Sequence, residues 1–144
     1  MKVTRSVTLN APPQRVWEVL LDPAEFSQCI PGVEAFEAQG GDTYAVTMKI
    51  GIGAVKGTFT GAVAVRDVDP GKSYSMDVRG RGQAGFVQGS GKVSLTAAAG
   101  GATEVAVDGD ANIGGTIAMV GQRMLSSAAN LMLDRFFGCI GERL

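Results

Sequence analysis

The sequence predicts an α+β fold in which a curved antiparallel sheet of about seven strands wraps around one long C-terminal helix, with two short helices after the first strand. Three observations lead there. Period-two alternation of apolar and polar residues runs from Lys2 to Leu9 and recurs over most of the chain up to Ile113, which is the mark of half-buried strands. Helical spacing is confined to a short stretch after residue 12 and to the segment from Thr116 to about Ile140. The chain also carries 21 glycines in 144 residues, about twice the ordinary frequency, and many lie inside strand-like runs where they permit bulges and bends.

Taken in order, Lys2 to Leu9 places Val3, Val7 and Leu9 on one parity, and Asn10-Ala11-Pro12-Pro13 ends the strand. Proline is tolerated in a first helical turn, and Val16, Trp17, Val19, Leu20 and Leu21 then recur at helical spacing up to Asp22-Pro23. A second short helix follows from Pro23 to about Cys29, closed by Ile30-Pro31-Gly32. Beyond it Tyr44, Val46, Met48 and Ile50 alternate with Thr43, Ala45, Thr47 and Lys49, and Tyr74, Met76 and Val78 alternate with Ser73, Ser75 and Asp77. Gly40-Gly41-Asp42, Asp69-Pro70-Gly71-Lys72 and Gly100-Gly101 supply turns between hairpin strands. In the last segment Ile117, Val120, Met124, Leu125, Ala128, Leu131, Met132, Phe136 and Cys139 form a broad apolar stripe, with Arg123, Ser126, Asn130 and Asp134 on the other side. A helix of about 25 residues reaches roughly 37 Å and can cross a whole sheet. No repeat, linker or charge block divides the chain, so residues 1–144 are expected to form one domain.

A chain of this length buries about two-thirds of its unfolded surface and needs no staples. Thirteen basic against fourteen acidic residues leave a formal charge of -1, too small to steer nucleic acid or an anionic membrane by overall field. The N-terminal residues lack the layout of a signal peptide and no apolar run approaches the ~20 residues that span a bilayer. The expected location is therefore cytoplasmic, with at most peripheral membrane contact. Cys29 and Cys139 are too few for a disulfide framework and lack metal-ligand spacing, so they are expected to be reduced thiols with a packing role.

Several motifs in sequence order bear on identity: Val16-Trp17-Glu18-Val19-Leu20-Leu21-Asp22-Pro23, Cys29-Ile30-Pro31-Gly32, and the run from Gly51 through Lys56-Gly57-Thr58-Phe59-Thr60 to Gly61. Gly85-Phe86-Val87-Gln88-Gly89 and Asp110-Ala111-Asn112-Ile113-Gly114-Gly115 follow. On these, and over nearly its whole length, the chain resembles the carbon monoxide dehydrogenase G-subunit family, a branch of the START-like, helix-grip (SRPBCC) superfamily. The resemblance implies a cavity between sheet and long helix. It also implies an accessory role beside a molybdenum hydroxylase, through membrane recruitment or the handling of a quinone-like partner. Longer members continue into a linker and an apolar tail, whereas this sequence stops at Gly141-Glu142-Arg143-Leu144.

The chain contains no histidine, which removes the commonest general base, the Ser-His-Asp arrangement, a Cys-His nucleophile and most zinc sites together. Gly80-Arg81-Gly82-Gln83-Ala84-Gly85 matches the dinucleotide fingerprint in letters, but the following residues read as strand, so a glycine-bent hairpin is expected there. Glu104, Asp108 and Asp110 share one parity and are read as a solvated strand face.

Trp17, Phe26, Met48, Phe59, Met76, Phe86, Met124, Met132 and Phe136 are the candidates to line the cavity or fill the core. Six methionines and many glycines favour a pocket, because thioethers adapt to varied apolar shapes and absent side chains leave space. Lys56, Arg79 and Arg81 are the candidate partner-binding patch. The expected function is a noncatalytic accessory protein that binds a lipid or quinone-like molecule, with no cofactor and no metal. The alternatives are a START-like enzyme of cyclase or hydrolase type, which needs a buried acid or one of Tyr44 and Tyr74, and a pure docking module for a larger dehydrogenase.

Overall fold

The computed structural model describes residues 1–144. Its elements are β1 (Lys2–Leu9), α1 (Pro13–Leu21), α2 (Pro23–Cys29), β2 (Val33–Gly40), β3 (Thr43–Ile52), β4 (Val55–Asp69), β5 (Ser73–Gly82), β6 (Gly85–Ala97), β7 (Thr103–Gly114) and α3 (Gln122–Glu142). The strands make one sheet in the order β1-β7-β6-β5-β4-β3-β2, every neighbouring pair antiparallel. Hairpins account for all pairings except the first, in which β1 returns beside β7 with Lys2 opposite Asp110 and Leu9 opposite Thr103.

Alternation in sequence becomes two faces in space. Leu9, Tyr74, Val93, Leu95 and Val105 turn inward and are buried, while Thr8, Glu104, Lys92 and Thr96 between them are exposed. On the outer face Lys2 pairs with Asp110 across 3.5 Å and Arg66 reaches Asp77, whose Oδ1 also accepts from Ser90 Oγ at 2.7 Å. The acids Glu104, Asp108 and Asp110 lie on this wet side. The glycine-rich Gly80–Gly85 segment is the β5–β6 hairpin, where a Cβ on Gly85 would stand 1.9 Å from the Gly114 carbonyl oxygen. That close approach of two backbones admits only hydrogen.

The C-terminal segment departs from the single helix expected from Thr116 to Ile140. A 3-10 turn occupies Thr116–Val120, and α3 begins only at Gln122. Gly121 between them has φ 96°, a left-handed conformation that a right-handed helix cannot continue.

Three cross-connections hold α3 in place. Arg143 donates to Glu25 Oε2 at 2.7 Å and to Gln28 Oε1 at 2.6 Å, tying the helix end to α2. Arg5 on β1 grips Asp134 with Nε at 2.8 Å and a second nitrogen at 2.5 Å. The third corrects the reading of the cysteines as free thiols: Cys29 at the end of α2 and Cys139 near the end of α3 form a disulfide, with Cα atoms 5.4 Å apart. Their 110-residue separation hides the pair from any spacing argument, because only the docking of α3 on α2 brings them together.

The guanidinium of Arg5, hydrogen-bonded to Asp134, holds that carboxyl below the usual carboxylate range. A depressed folded-state value means the pair contributes stability above the carboxylate's unfolded pKa of about 4 and loses it as pH falls through the folded value. Thermal midpoints of wild type and Asp134→Asn are therefore expected to differ at neutral pH and to converge in acid, as differential scanning calorimetry across a pH series would show.

Buried side chains form two separate clusters. The larger lies under α1, α2 and the C-terminal half of α3 and includes Val16, Val19, Leu20, Val105, Phe137 and Ile140. The smaller, Val55, Phe59, Ile117, Leu125 and Ala128, lies at the opposite end, where the β3–β4 hairpin meets the start of α3. The accessible surface is 7858 Å² for 14.8 kDa, against about 7,000 Å² for a compact monomer of that mass. The excess fits a sheet whose concave face is not fully covered.

Candidate functional site on the concave face

Between the two clusters the inner face of the sheet is apolar and only half-buried. One row across it runs Tyr44, Val63, Val78, Gly89 and Ala111, in direct register from β3 to β7. Val78 points inward near the middle of this row and still keeps 36% of its surface exposed. Its neighbour on β6 is a glycine, and two further inward positions, Gly80 and Gly91, have room for a Cβ with nothing nearer than 3.5 Å. Absent side chains at the floor leave space that α3 does not fill, since the helix packs chiefly on β1 and α2 and meets β4 only at its start.

On α3 Met132 is half-buried, whereas Met124 and Leu131, 43% and 38% exposed, lie seven residues apart on a face turned away from the buried Leu125, Ala128, Phe137 and Ile140. At the inner end stands Tyr74, only 4% exposed, edge-on to Trp17 with ring centroids 5.8 Å apart. Its hydroxyl has no protein hydrogen-bond partner, yet no unpartnered polar side-chain atom in the molecule is fully sealed, so the oxygen borders accessible space. Burial raises the phenol well above its ordinary range, which keeps the proton on and the group a donor at physiological pH. Tyr44 is raised more modestly by partial burial and by Asp42, and it stacks on Phe36 at 5.0 Å.

The candidate residues from the sequence separate into groups. Phe26 and Phe59 are core, one in each cluster, with Phe26 edge-on to both Phe36 and Tyr44. Trp17, Met76 and Phe136 are half-buried against the larger cluster, and Met48 and Met132 are half-buried. Phe86 needs correction: its parity places it on the outer face, 40% exposed, with its ring lying over Gly114. Sequence reasoning missed Val63 and Val78, whose ordinary strand alternation gives no sign that their inner neighbours are glycines.

The outer face bears an open depression of about 520 Å³ bounded by Thr60, Ala62, Arg79, Arg81, Phe86 and Gln88. Arg79 and Arg81 thus meet there beside an exposed aromatic ring. Lys56 does not join them, because it lies four residues before Thr60 on β4, roughly 13 Å along the strand. A second outer depression of about 350 Å³ is polar, between Lys2, Arg66, Ser90, Lys92, Asp108 and Asp110.

A family model described as the carbon monoxide dehydrogenase G subunit (CoxG) matches residues 6–144. Among solved structures, a conserved protein from Geobacillus kaustophilus is 35% identical with a TM-score of 0.95, the alignment covering 99% of this chain and 94% of that one. A START superfamily protein from Mycobacterium smegmatis aligns over 99% of this chain and 95% of its own at 15% identity and TM-score 0.76. The Zhui aromatase/cyclase from Streptomyces sp. R1128 aligns over 99% and 92% at 18% identity and TM-score 0.71. At such identities the last two show the shared helix-grip fold alone. No curated protein matches significantly.

Proposed function

The chain belongs to the carbon monoxide dehydrogenase G-subunit (CoxG) family, and from that premise we propose that it is a noncatalytic accessory protein carrying a lipid or quinone-like molecule on the concave face beneath α3. The observation that supports this most directly is Val78, an apolar side chain at the centre of the inner sheet face that remains 36% exposed. Exposed apolar surface in a concave setting is a place for an apolar ligand. Tyr74 would supply a single donor at the inner end, suited to a carbonyl or hydroxyl oxygen on an otherwise greasy molecule.

Glu104, Asp108 and Asp110 are exposed on the other side of the sheet, and of the two tyrosines on the inner face Tyr74 is buried and Tyr44 half-buried. Service to a molybdenum hydroxylase of carbon monoxide dehydrogenase type is the role that family membership supports. Arg79, Arg81 and Phe86 on the outer face offer the docking patch, while Lys56 stands apart from it. Native mass spectrometry of gently purified protein is expected to show a bound apolar molecule, and Tyr74→Phe to reduce its retention without abolishing it. A protein that is consistently empty, and takes up no added quinone, overturns the carrier reading.

A further inference from the structure

The last turn of α3 closes over the buried end of the concave face. Phe137 and Ile140, 3% and 0% exposed, belong to the same cluster as Tyr74, and Phe136 and Cys139 pack against it together with Trp17. Opening of this turn bares part of the cluster that holds the tyrosine. Cys29 ends α2, Cys139 stands in that last turn, and the six strands β2–β7 lie between them in sequence, so the bond between the chain's only two cysteines completes a ring around the sheet.

Without the bond the turn is weakly held. Gly138 and Gly141 flank the cysteine, and glycine is the poorest helix former after proline because it has the most backbone freedom to lose. Neither position demands glycine. Neither has a left-handed φ, a Cβ on Gly138 would meet nothing within 4 Å, and one on Gly141 would reach Leu9 Cδ2 at 3.6 Å, an ordinary contact. The polar ties at this end are those of Arg143 with Glu25, Gln28 and Arg15, partly or fully exposed, where such bonds contribute little. A cross-link that served stability alone would need no such glycines, whereas here two avoidable ones make closure of the turn depend on the bond. The two sulfurs also differ in access: Cys29 is 4% exposed, while Cys139 is half-buried next to the exposed Gly138.

We propose that the Cys29–Cys139 disulfide is a redox latch on this site: closed, it holds the last turn of α3 over the end that contains Tyr74, and a dithiol reductant frees that turn and speeds the escape of the bound apolar molecule. A thiolate of the reductant attacks Cys139 Sγ, the Cys29–Cys139 bond breaks, and Cys29 leaves as a thiolate that takes up a proton. The second thiol of the reductant, on losing its proton, attacks the mixed disulfide, and Cys139 leaves and is protonated in turn. The protein gains two electrons and two protons, and the reductant ends as an intramolecular disulfide. Exchange with an oxidised dithiol restores the latch. What the latch releases rests on the carrier reading; the redox control of the helix end does not.

The test compares wild type, Cys139→Ser and the pair Gly138→Ala with Gly141→Ala, each with and without dithiothreitol. Hydrogen exchange at the amides of residues 138–142 and release of loaded decylubiquinone are the readouts, with thiol labelling to count the reduced sulfurs. A labelling time too short for β7 to exchange restricts the reading to local opening. Even the low end of a cross-link's usual effect is about thirtyfold, so reduction should speed exchange and release by at least about tenfold. Cys139→Ser should behave as reduced wild type and ignore the reductant. At about fivefold per glycine, the two alanine substitutions together should slow exchange and release in the reduced state by roughly twentyfold. Equal exchange at the helix end in the oxidised and reduced proteins, or release that stays slow when that end opens, overturns the latch. So does release from the reduced alanine variant that is as fast as from reduced wild type, since the cargo then leaves by another route. If the oxidised protein never takes up the quinone while its helix end still responds to reduction, the redox control stands and the carrier reading falls.

Discussion

Replacing Cys139 with serine is expected to lower the melting temperature of the oxidised protein by roughly 10–15 °C. The disulfide closes a loop spanning 110 residues, most of the chain, and on chain-entropy reasoning a cross-link over about 100 residues restricts the unfolded ensemble by about 4–5 kcal/mol. For a domain of this size each kcal/mol moves the midpoint by about 3 °C. The effect is a property of the unfolded state as much as of the native one, so Cys29→Ser should match Cys139→Ser, and the double variant should lose no more than either single one. Thermal melts with and without reductant decide the matter. In a reducing setting, where such bonds are rare, wild type should fall to the level of the variants. Equal midpoints for oxidised wild type and both variants would show that the two sulfurs are not bonded in solution.

The second large effect concerns the space beneath α3. Val78→Trp is expected to reduce ligand retention by at least about tenfold while changing stability by less than about 1 kcal/mol. Tenfold corresponds to about 1.4 kcal/mol, the apolar contact of roughly two methylene groups, which an indole placed among ligand atoms readily displaces. The two readouts oppose each other in an informative way. Were the inner face already filled by the protein's own side chains, the larger residue would overpack it and cost about 1–3 kcal/mol instead. A stable variant with full ligand retention would move the binding site elsewhere.

Much of this architecture was legible because it depends on local periodicity. The strand from Lys2 to Leu9, the proline-initiated helices after residue 12, the turns at Gly40-Gly41-Asp42 and Asp69–Lys72, and the wet parity of Glu104, Asp108 and Asp110 all follow from which residues alternate and which set backbone geometry. Phe86 was misplaced for a related reason. Gly85 and the tight β5–β6 hairpin set its parity, and an aromatic residue next to a glycine-rich turn gives no local sign of which face it takes. The continuous apolar stripe from Ile117 to Cys139 likewise hid the break at Gly121, because a single glycine among helix formers is compatible with either a helix or an interruption.

The amino-acid sequence by itself determined the class of the fold, the order of its elements and the absence of histidine chemistry, since each is a property of neighbouring residues or of composition. Tertiary structure alone decided that Cys29 meets Cys139 and that Val78 looks onto uncovered space beside Gly89. These are juxtapositions of residues far apart along the chain. They arise from how one helix docks on one twisted sheet, and no short-range pattern encodes them.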